Sequence, residues 1–150
     1  LQDNLRILSG FYGILKPLDG VVPYRLEMQS KFINYKNKDL YEYWADKIAN
    51  SLFEETNLII NLASKEYSKC VEKYLKNSPG TKFITCVFGE IKGDKVIEKG
   101  TLAKMARGEM VRYLAQNKIC DLEGLKRFDK LEYKYSQEKS NEKTYVVIKS

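Results

Sequence analysis

The stretch Leu8–Met28, LSGFYGILKPLDGVVPYRLEM, decides how this chain is organised. It carries three of the nine glycines and two of the three prolines. Gly10 follows Leu5–Leu8, which reads as a short buried strand, and a glycine at that point allows a sharp turn. Pro17 and Pro23 keep the following residues extended and exclude a helix. Such a restricted segment is typical of a structural corner or of a binding loop, and the residues alone leave both interpretations open.

Polar side chains with possible chemical roles lie in this stretch and at later predicted turns and helix starts. Glu27 and Glu66 are candidates for acid–base chemistry, while Arg25 and Lys16 are candidate phosphate ligands. Each has an alternative structural role as a cap, turn or salt-bridge member. We also expect a pocket lined by Ser9, Gly10, Tyr12, Tyr24, Asn61 and Ser64.

These segments are expected to share one cleft. Strand ends and helix N-termini of a mixed sheet gather at one edge, where ligands tend to bind. The sequence therefore predicts that four segments lie around a common site. They are Ser9–Tyr12, Tyr24–Glu27, Asn61–Glu66 and Lys104–Arg107.

The composition is that of a globular chain, with 43% hydrophobic and 31% charged residues among 150. No apolar run approaches the roughly 18 residues of a membrane span, so we expect a cytoplasmic protein without membrane contact. Three widely spaced cysteines are typical of reduced thiols. The chain has no histidine, which excludes Ser-His-Asp and Cys-His mechanisms within it and removes the commonest transition-metal ligand. We therefore predict no metal site and no cofactor.

The net charge of +6 is unevenly placed. Residues 1–98 carry 14 Lys/Arg against 13 Asp/Glu, whereas residues 99–150 carry 12 against 7. A basic last third indicates an anionic partner, for which nucleic acid is the usual candidate, or simply a solvated basic surface.

Helices and strands of the first half can be placed by pattern. Tyr24–Met28 is predicted to be a strand end, followed by a polar connection over residues 29–37. Asp39 and Glu42 have the spacing of a capping box, which predicts a helix running to about Glu55. Along that helix the four-residue apolar repeat places Trp44 in the core rather than at a ligand.

A strand followed directly by a helix is predicted next. Leu58–Leu62 reads as a short apolar strand, and Ser64 is a good N-cap for a helix that ends at Pro79-Gly80. A strand that leads into a helix N-terminus is a recurring anion site. This one lacks a glycine-rich loop, so the signal is weak.

The last third is predicted to contain two hairpins and two helices. Phe83–Ile91 and Lys95–Glu98 alternate around a Lys-Gly-Asp turn. Asp121 is a candidate cap for a short helix, Leu122–Phe128. The second hairpin joins Leu131–Tyr135 to Thr144–Lys149. No linker or repeat divides the chain, so residues 1–150 are predicted to form a single domain.

The helix that begins at Thr101 carries the clearest candidate for phosphate binding. At 100° per residue its apolar side chains cluster on one side. Lys104, Arg107 and Arg112 fall on the opposite side, with Gly108 among them. A mid-helix glycine is unfavourable by about 0.5–1 kcal/mol relative to alanine, and on an exposed basic face it would let a phosphate come close. The alternative is an ordinary polar face.

Three motifs in order carry a family resemblance. SGFYGILKPLDG with PYRLEM, then NLASKEY (Asn61–Tyr67), then AKMARGEMVRYL (Ala103–Leu114) resemble the signatures of the YaaA family of bacterial peroxide-stress proteins. The resemblance covers nearly the whole chain. It implies that family members are longer, with an N-terminal portion of roughly a hundred residues, so this chain is expected to be the C-terminal part of such a protein.

The patterns and the resemblance together define the expected fold and function. Strands mixed with helices favour an α/β to α+β fold, with a mixed sheet flanked by helices and hairpins in the C-terminal half. The resemblance implies a family-specific fold with a basic cleft. It also implies a non-enzymatic DNA-binding role that limits iron-dependent damage under peroxide stress.

The residues leave two other functions open. The first is an enzyme acting on a nucleotide or nucleic-acid end, using Glu27, Glu66 and Arg25. The second is iron sequestration, which the residues support poorly because histidine is missing and the cysteines are scattered. The oligomeric state is not indicated by the sequence.

Overall fold

The computed structural model describes residues 1–31 and 37–150. Contacts between these residues define two compact units. Unit 1 contains residues 1–59 and 63–81, and unit 2 contains residues 60–62 and 82–150. The single domain expected from the sequence stays a prediction. The expected connection over residues 29–37 falls in part on residues 32–36, outside the described residues.

Unit 1 begins with a small antiparallel sheet of β1 (Ile7–Ser9) and β2 (Gly13–Leu15). The predicted buried strand is thus shorter than expected and only partly buried, because Ile7 is exposed and burial is complete only at Ser9. The strand predicted over Tyr24–Met28 is wrong, since this segment forms no ladder with another strand and ends in a turn.

The helix predicted from Asp39 to Glu55 is divided in two. These are α1 (Leu40–Trp44) and α2 (Lys47–Glu55), and they are separated by Ala45, which adopts a positive φ of 46°. The predicted Asp39 cap is confirmed, but the bond that Glu42 makes in return goes to Lys38, one residue before the N-cap. Asp39 Oδ1 accepts the Glu42 N–H at 2.9 Å, and the Glu42 carboxylate accepts the Lys38 N–H at 2.8 Å.

The predicted strand and helix that follow are both present. They are β3 (Leu58–Asn61), whose last two residues belong to unit 2, and α3 (Lys65–Glu72) in unit 1. Helix α3 packs against α2. It ends earlier than predicted, and a 3-10 turn over Leu75–Asn77 completes the segment.

Unit 2 contains a mixed sheet in the order β3-β4-β7-β6, with β5 also paired to β4. Its strands are β4 (Lys82–Lys92), β5 (Lys95–Ile97), β6 (Tyr133–Tyr135) and β7 (Thr144–Lys149). Strands β4 and β7 are parallel, with Thr85 opposite Thr144, whereas the β4–β5 and β6–β7 pairs are antiparallel. Both predicted hairpins are therefore confirmed.

Two helices of unit 2 lie between β5 and β6 in the chain. α4 (Gly100–Gln116) packs against β4, and α5 (Leu122–Lys126) is capped by Asp121, whose Oδ1 accepts the Gly124 N–H at 2.6 Å. Tyr113 joins the two helices, because its hydroxyl donates to the Gly124 carbonyl at 3.1 Å. The core of unit 2 is formed by buried side chains of the sheet and of both helices. These include Ile84, Cys86, Phe88, Ala106, Met110, Leu125, Phe128, Tyr133 and Val147.

The α/β fold class predicted from the sequence is confirmed by these elements. None of the helices in the described ranges combines the length and the apolar composition that a membrane span requires.

Candidate functional site

The Ser9 hydroxyl is buried at the end of β1, with 2% of the residue exposed. Its Oγ accepts the backbone N–H groups of Phe11 at 3.2 Å and Tyr12 at 2.9 Å, and it lies 2.5 Å from Tyr24 Oη. A serine hydroxyl offers two lone pairs and one proton. The Ser9 and Tyr24 hydroxyls therefore share one hydrogen bond, in which either oxygen can be the donor.

Packing requires a glycine at two positions of the same turn. A Cβ on Gly10 would lie 2.7 Å from the Leu26 carbonyl oxygen. Gly13 has a φ of +76°, and a Cβ there would lie 2.8 Å from the Trp44 ring. The Trp44 indole N–H also donates to the Gly10 carbonyl at 3.0 Å, so Trp44 serves the fold, as its spacing predicted. These two glycines are explained by a structural corner.

Three aromatic rings pack together beside Ser9 and form what we call the aromatic cluster: Phe11, Tyr12 and Tyr24. The Phe11 and Tyr24 rings lie 5.4 Å apart and 30° from parallel, and Tyr12 meets each of them edge-on at 4.9–5.5 Å. The Tyr12 hydroxyl accepts the Val22 N–H at 3.1 Å. Phe11 remains 53% exposed and Tyr24 41% exposed. The cluster therefore exposes part of its aromatic surface to solvent, while packing between the rings fixes their positions.

The two basic candidates of this stretch, Arg25 and Lys16, are exposed. Within the described residues neither makes an ion pair. The Lys16 backbone N–H donates to Asp19 at 2.8 Å, which closes a local turn. Their assignment as phosphate ligands stays a prediction.

Glu66 has a structural role at the start of α3. Its Oε1 accepts the Gln29 N–H at 3.2 Å, and its carbonyl accepts the Tyr41 hydroxyl at 2.9 Å. It therefore ties α1 and Gln29, the residue after the Leu8–Met28 stretch, to α3, all within unit 1.

Several predicted site residues of unit 1 influence the Tyr67 hydroxyl electrostatically. Burial raises the pKa of its hydroxyl, and the Glu66 carboxylate acts in the same direction. The Met28 N–H, which donates to the Tyr67 oxygen, opposes that rise in pKa, while Tyr24 and Glu27 add smaller contributions that raise it. Two of the predicted carboxylates and one predicted pocket tyrosine thus act electrostatically on the same hydroxyl.

The other two pocket residues have structural partners. Asn61 is buried, and its Nδ2 donates to Thr85 Oγ1 at 3.1 Å within unit 2. Ser64 is the N-cap of α3, but its side chain makes no cap hydrogen bond, and its carbonyl accepts the N–H groups of Tyr67 and Ser68. A cleft that joins these residues to Ser9 and to α4 stays a prediction.

The basic residues predicted on α4 do not share one environment. Lys104 and Arg112 are exposed, and the only ion pair that either makes within the described ranges is a 4.0 Å contact from Arg112 to Glu109. Arg107 differs, because its side chain is only 19% exposed and its Nη2 donates to Glu98 at 3.0 Å. Glu98 Oε1 also accepts the Phe88 N–H. The expectation that Arg107 lies on the exposed face is wrong, since the guanidinium pairs with the end of the β4–β5 hairpin.

Gly108 lies between Lys104 and Arg112, one helical turn from each. A Cβ at this position would meet no atom within 4 Å. The packing of the described residues therefore does not account for a glycine that weakens the helix by about 0.5–1 kcal/mol. Lys104, Gly108 and Arg112 form one exposed row along α4, which we call the α4 row.

Sequence reasoning missed Phe11 and Tyr67. Tyr67 is the last residue of the NLASKEY motif but was not a site candidate, and only the tertiary structure shows that Glu66 and Met28 influence the pKa of its hydroxyl. Phe11 lies between Gly10 and Gly13. Its position in a tight turn could have been used to predict that its ring is exposed.

Within the described ranges, no group of three or more His, Cys, Asp or Glu side chains is arranged to hold a metal ion. The three cysteines are free thiols, of which Cys70 and Cys86 are buried and Cys120 is exposed. Burial raises the pKa of Cys70 to about 11 and that of Cys86 to about 12. A thiol reacts with peroxide as its thiolate, so the two buried cysteines are poor peroxide targets.

We expect Cys120 alone to react rapidly with iodoacetamide near pH 8 in the folded protein. At that pH a thiol with a pKa near 11 is ionised to about one part in a thousand, and burial blocks access as well. Mass spectrometry after timed quenching measures this directly, with urea-unfolded protein as the fully labelled control. Cys120→Ser should abolish the rapid phase, and rapid labelling of a second cysteine would contradict the expectation.

The architecture and these surfaces define a mixed α/β protein with a glycine-built corner in one unit and an exposed basic helix row in the other. Over residues 1–139 the chain matches the family described as peroxide stress protein YaaA, and it belongs to that family. This agrees with the resemblance carried by the three motifs.

Several bacterial proteins named UPF0246 are similar over nearly the full chain. The identity is 58% over 99% of this chain to one from Lachnoclostridium phytofermentans, and 53% over 100% of it to one from Desulfitobacterium hafniense. A third, from Agathobacter rectalis, is 55% identical over 97% of the chain. The chain spans 58%, 59% and 58% of the lengths of these relatives, respectively.

Proposed function

We propose that this chain contributes a phosphate-binding surface to a cytoplasmic, non-enzymatic DNA-binding protein, which limits iron-dependent damage during peroxide stress. The peroxide-stress role rests on the family match. The observation that carries the DNA-binding proposal is the α4 row of Lys104, Gly108 and Arg112.

The α4 row has the properties that a phosphate backbone requires. Lys104 and Arg112 are exposed cations one turn on either side of Gly108, where no atom lies within 4 Å of a built Cβ. A row without a central side chain allows a phosphate to approach the helix backbone. The surrounding charge supports this function, because residues 99–150 carry 12 Lys/Arg against 7 Asp/Glu.

Replacing Lys104 and Arg112 together by glutamine is expected to weaken duplex binding by a similar factor for every DNA sequence. Each lost phosphate contact reduces the slope of log K against log salt by about 0.9, so the double variant should lose about 1.8. Fluorescence anisotropy with a labelled duplex, measured between about 50 and 200 mM salt, gives this slope.

The matched control is Lys134→Gln combined with Lys143→Gln. This pair removes the same charge from exposed positions of unit 2 outside α4. An equal loss of slope in both double variants would mean that net charge alone attracts DNA, and an unchanged slope in the α4 variant would contradict the proposal. Arg107 is unsuitable as a probe, because its loss would also remove the cation that pairs with Glu98.

Gly108→Ala separates stability from binding on the same row. Alanine fits without a clash and should stabilise the helix by about 0.5–1 kcal/mol. If a phosphate approaches the helix backbone at Gly108, the same variant should bind DNA more weakly although it unfolds at a higher temperature. Tighter or equal binding would remove the glycine from the proposed surface.

A further inference from the structure

Exposed apolar side chains are concentrated at the start of the chain. Within the described residues, seven of the twelve large hydrophobic residues that are exposed lie between positions 1 and 24. Single exposed apolar side chains are normal on a protein surface, but a dense group of them marks a contact surface. We call this group the N-terminal apolar surface, and its members are Leu1, Ile7, Phe11, Leu18, Val21, Val22 and Tyr24.

Contacts between separate segments join these residues into one region. The Phe11 and Tyr24 rings pack with their centroids 5.4 Å apart. The Val22 N–H donates to the hydroxyl of Tyr12, whose ring packs against Phe11. The Leu18 N–H donates to Gln2 Oε1 at 3.0 Å, which places the first residues of the chain beside the same loop.

Polar contacts set the conformation of the loop that carries most of this surface. All eight residues from Leu18 to Arg25 are exposed. The Asp19 N–H donates to the Lys16 carbonyl at 3.1 Å, and the Asp19 carboxylate accepts the Lys16 N–H at 2.8 Å. Leu18 is nevertheless 82% exposed and Val22 62% exposed. The loop is therefore formed in advance, while its apolar side chains remain available to a partner.

We propose that the N-terminal apolar surface is covered, in the full-length family protein, by the segment that precedes Leu1. The proposal rests on the expectation that this chain is the C-terminal part of a longer protein. It concerns unit 1 and is separate from the phosphate surface proposed on α4.

Two observations select this occupant. The chain spans 58%, 59% and 58% of the three relatives described above, which leaves about two fifths of each relative outside the match. In addition, Leu1 is itself 61% exposed and belongs to the surface, and its neighbour Gln2 bonds to Leu18. A segment that enters at Leu1 therefore starts in direct contact with the surface and needs no linker to reach it.

The chemistry of the surface favours a polypeptide over an anionic ligand. Its side chains are aliphatic and aromatic, and charged residues of both signs lie at its margins, as Lys16, Asp19 and Arg25. An apolar patch with a polar rim is typical of a contact between protein surfaces. A second copy of this chain would present similar chemistry, so the experiment must separate the two occupants.

Cysteine labelling in a hybrid protein tests the proposal. The hybrid carries, ahead of Leu1, the part of the Lachnoclostridium phytofermentans relative that precedes its matched region. Cys120→Ser removes the exposed native thiol from the hybrid and from the 150-residue chain. Leu18→Cys and Val21→Cys then report access to the surface. Ile91→Cys in unit 2 is the matched control, because Ile91 and Val21 are both 53% exposed.

We expect a maleimide to label Leu18→Cys and Val21→Cys at least about tenfold more slowly in the hybrid than in the 150-residue chain. A covered thiol reacts only when the contact opens locally. The labelling rate of Ile91→Cys should be the same in both proteins.

Hydrogen exchange in the natural relative gives a second test, which decides the question if the hybrid does not fold. The full-length Lachnoclostridium phytofermentans protein is compared with its matched region alone. The backbone amides aligned with residues 18–25 should exchange more slowly in the full-length protein, since the preceding segment covers them.

Three outcomes would overturn the proposal. The first is equal labelling of Leu18→Cys and Val21→Cys in the hybrid and in the 150-residue chain, or equal exchange in the two forms of the relative. The second is equal slowing of all three cysteine variants, Ile91→Cys included. The third is labelling of the 150-residue chain that accelerates on dilution, because a second copy would then cover the surface. Lys104→Gln with Arg112→Gln should leave every labelling rate unchanged, so this proposal and the DNA-binding proposal can fail separately.

Discussion

Gly13→Ala is expected to destabilise the protein by about 2–4 kcal/mol. Gly13 has a φ of +76°, which is unfavourable for an L-residue with a side chain. Its new Cβ would also lie 2.8 Å from the Trp44 ring, which the hydrogen bond to the Gly10 carbonyl holds in place. Strain and overpacking therefore add. Urea unfolding followed by fluorescence measures the loss, because Trp44 is the only tryptophan.

Gly20→Ala is the matched control from the same stretch. A Cβ at Gly20 would meet no atom within 4 Å, so its unfolding free energy should stay within about 0.5 kcal/mol of the parent. If Gly13→Ala unfolds at the same urea concentration as Gly20→Ala, the corner described around Trp44 is incorrect.

Phe88→Ala is expected to have the largest effect in unit 2, about 3–5 kcal/mol. Phe88 is fully buried on β4, and the rings of Phe128 and Tyr133 meet it edge-on at 6.1 and 5.8 Å. Removing the ring leaves a cavity that the surrounding sheet and aromatic rings cannot readily close. Thermal unfolding followed by far-ultraviolet circular dichroism measures the shift in Tm.

Ile91→Ala tests whether that loss is specific to the core. Ile91 lies on the same strand and is mostly exposed, so its truncation should change the stability by less than about 1 kcal/mol. Equal shifts for the two variants would place Phe88 outside the core.

Local chemistry made much of the fold predictable. The Asp39 cap, the hairpin with Gly93 at a φ of +61° and the short helix capped by Asp121 each depend on residues within a few positions. Their geometry is set before distant parts of the chain are known. The apolar period of α4 was similarly sufficient to predict a helix from Thr101, one residue after the observed start of the helix at Gly100.

The parts that could not be predicted depend on distant contacts. The helix expected through Glu55 breaks at Ala45. The preceding residue, Trp44, donates a hydrogen bond to the carbonyl of Gly10, which is distant in the sequence. In the candidate site, helical spacing placed Arg107 with exposed cations, but Glu98 on the preceding hairpin draws it inward. An ion pair between two different secondary-structure elements cannot be predicted from the spacing of residues along one of them.

The parallel pairing of β4 with β7 has a consequence for how the chain folds. Every pair in that ladder, from Thr85 with Thr144 to Glu90 with Lys149, joins residues on opposite sides of α4, α5 and both hairpin turns. Closing so long a loop is entropically unfavourable, and the hydrogen bonds of the ladder offset this only after the loop has closed. Folding is therefore slowed. During synthesis on the ribosome, the edge of β4 that pairs with β7 therefore stays unpaired until residue 149 has emerged. Unit 1 can meanwhile form its own contacts, because its residues end at Thr81.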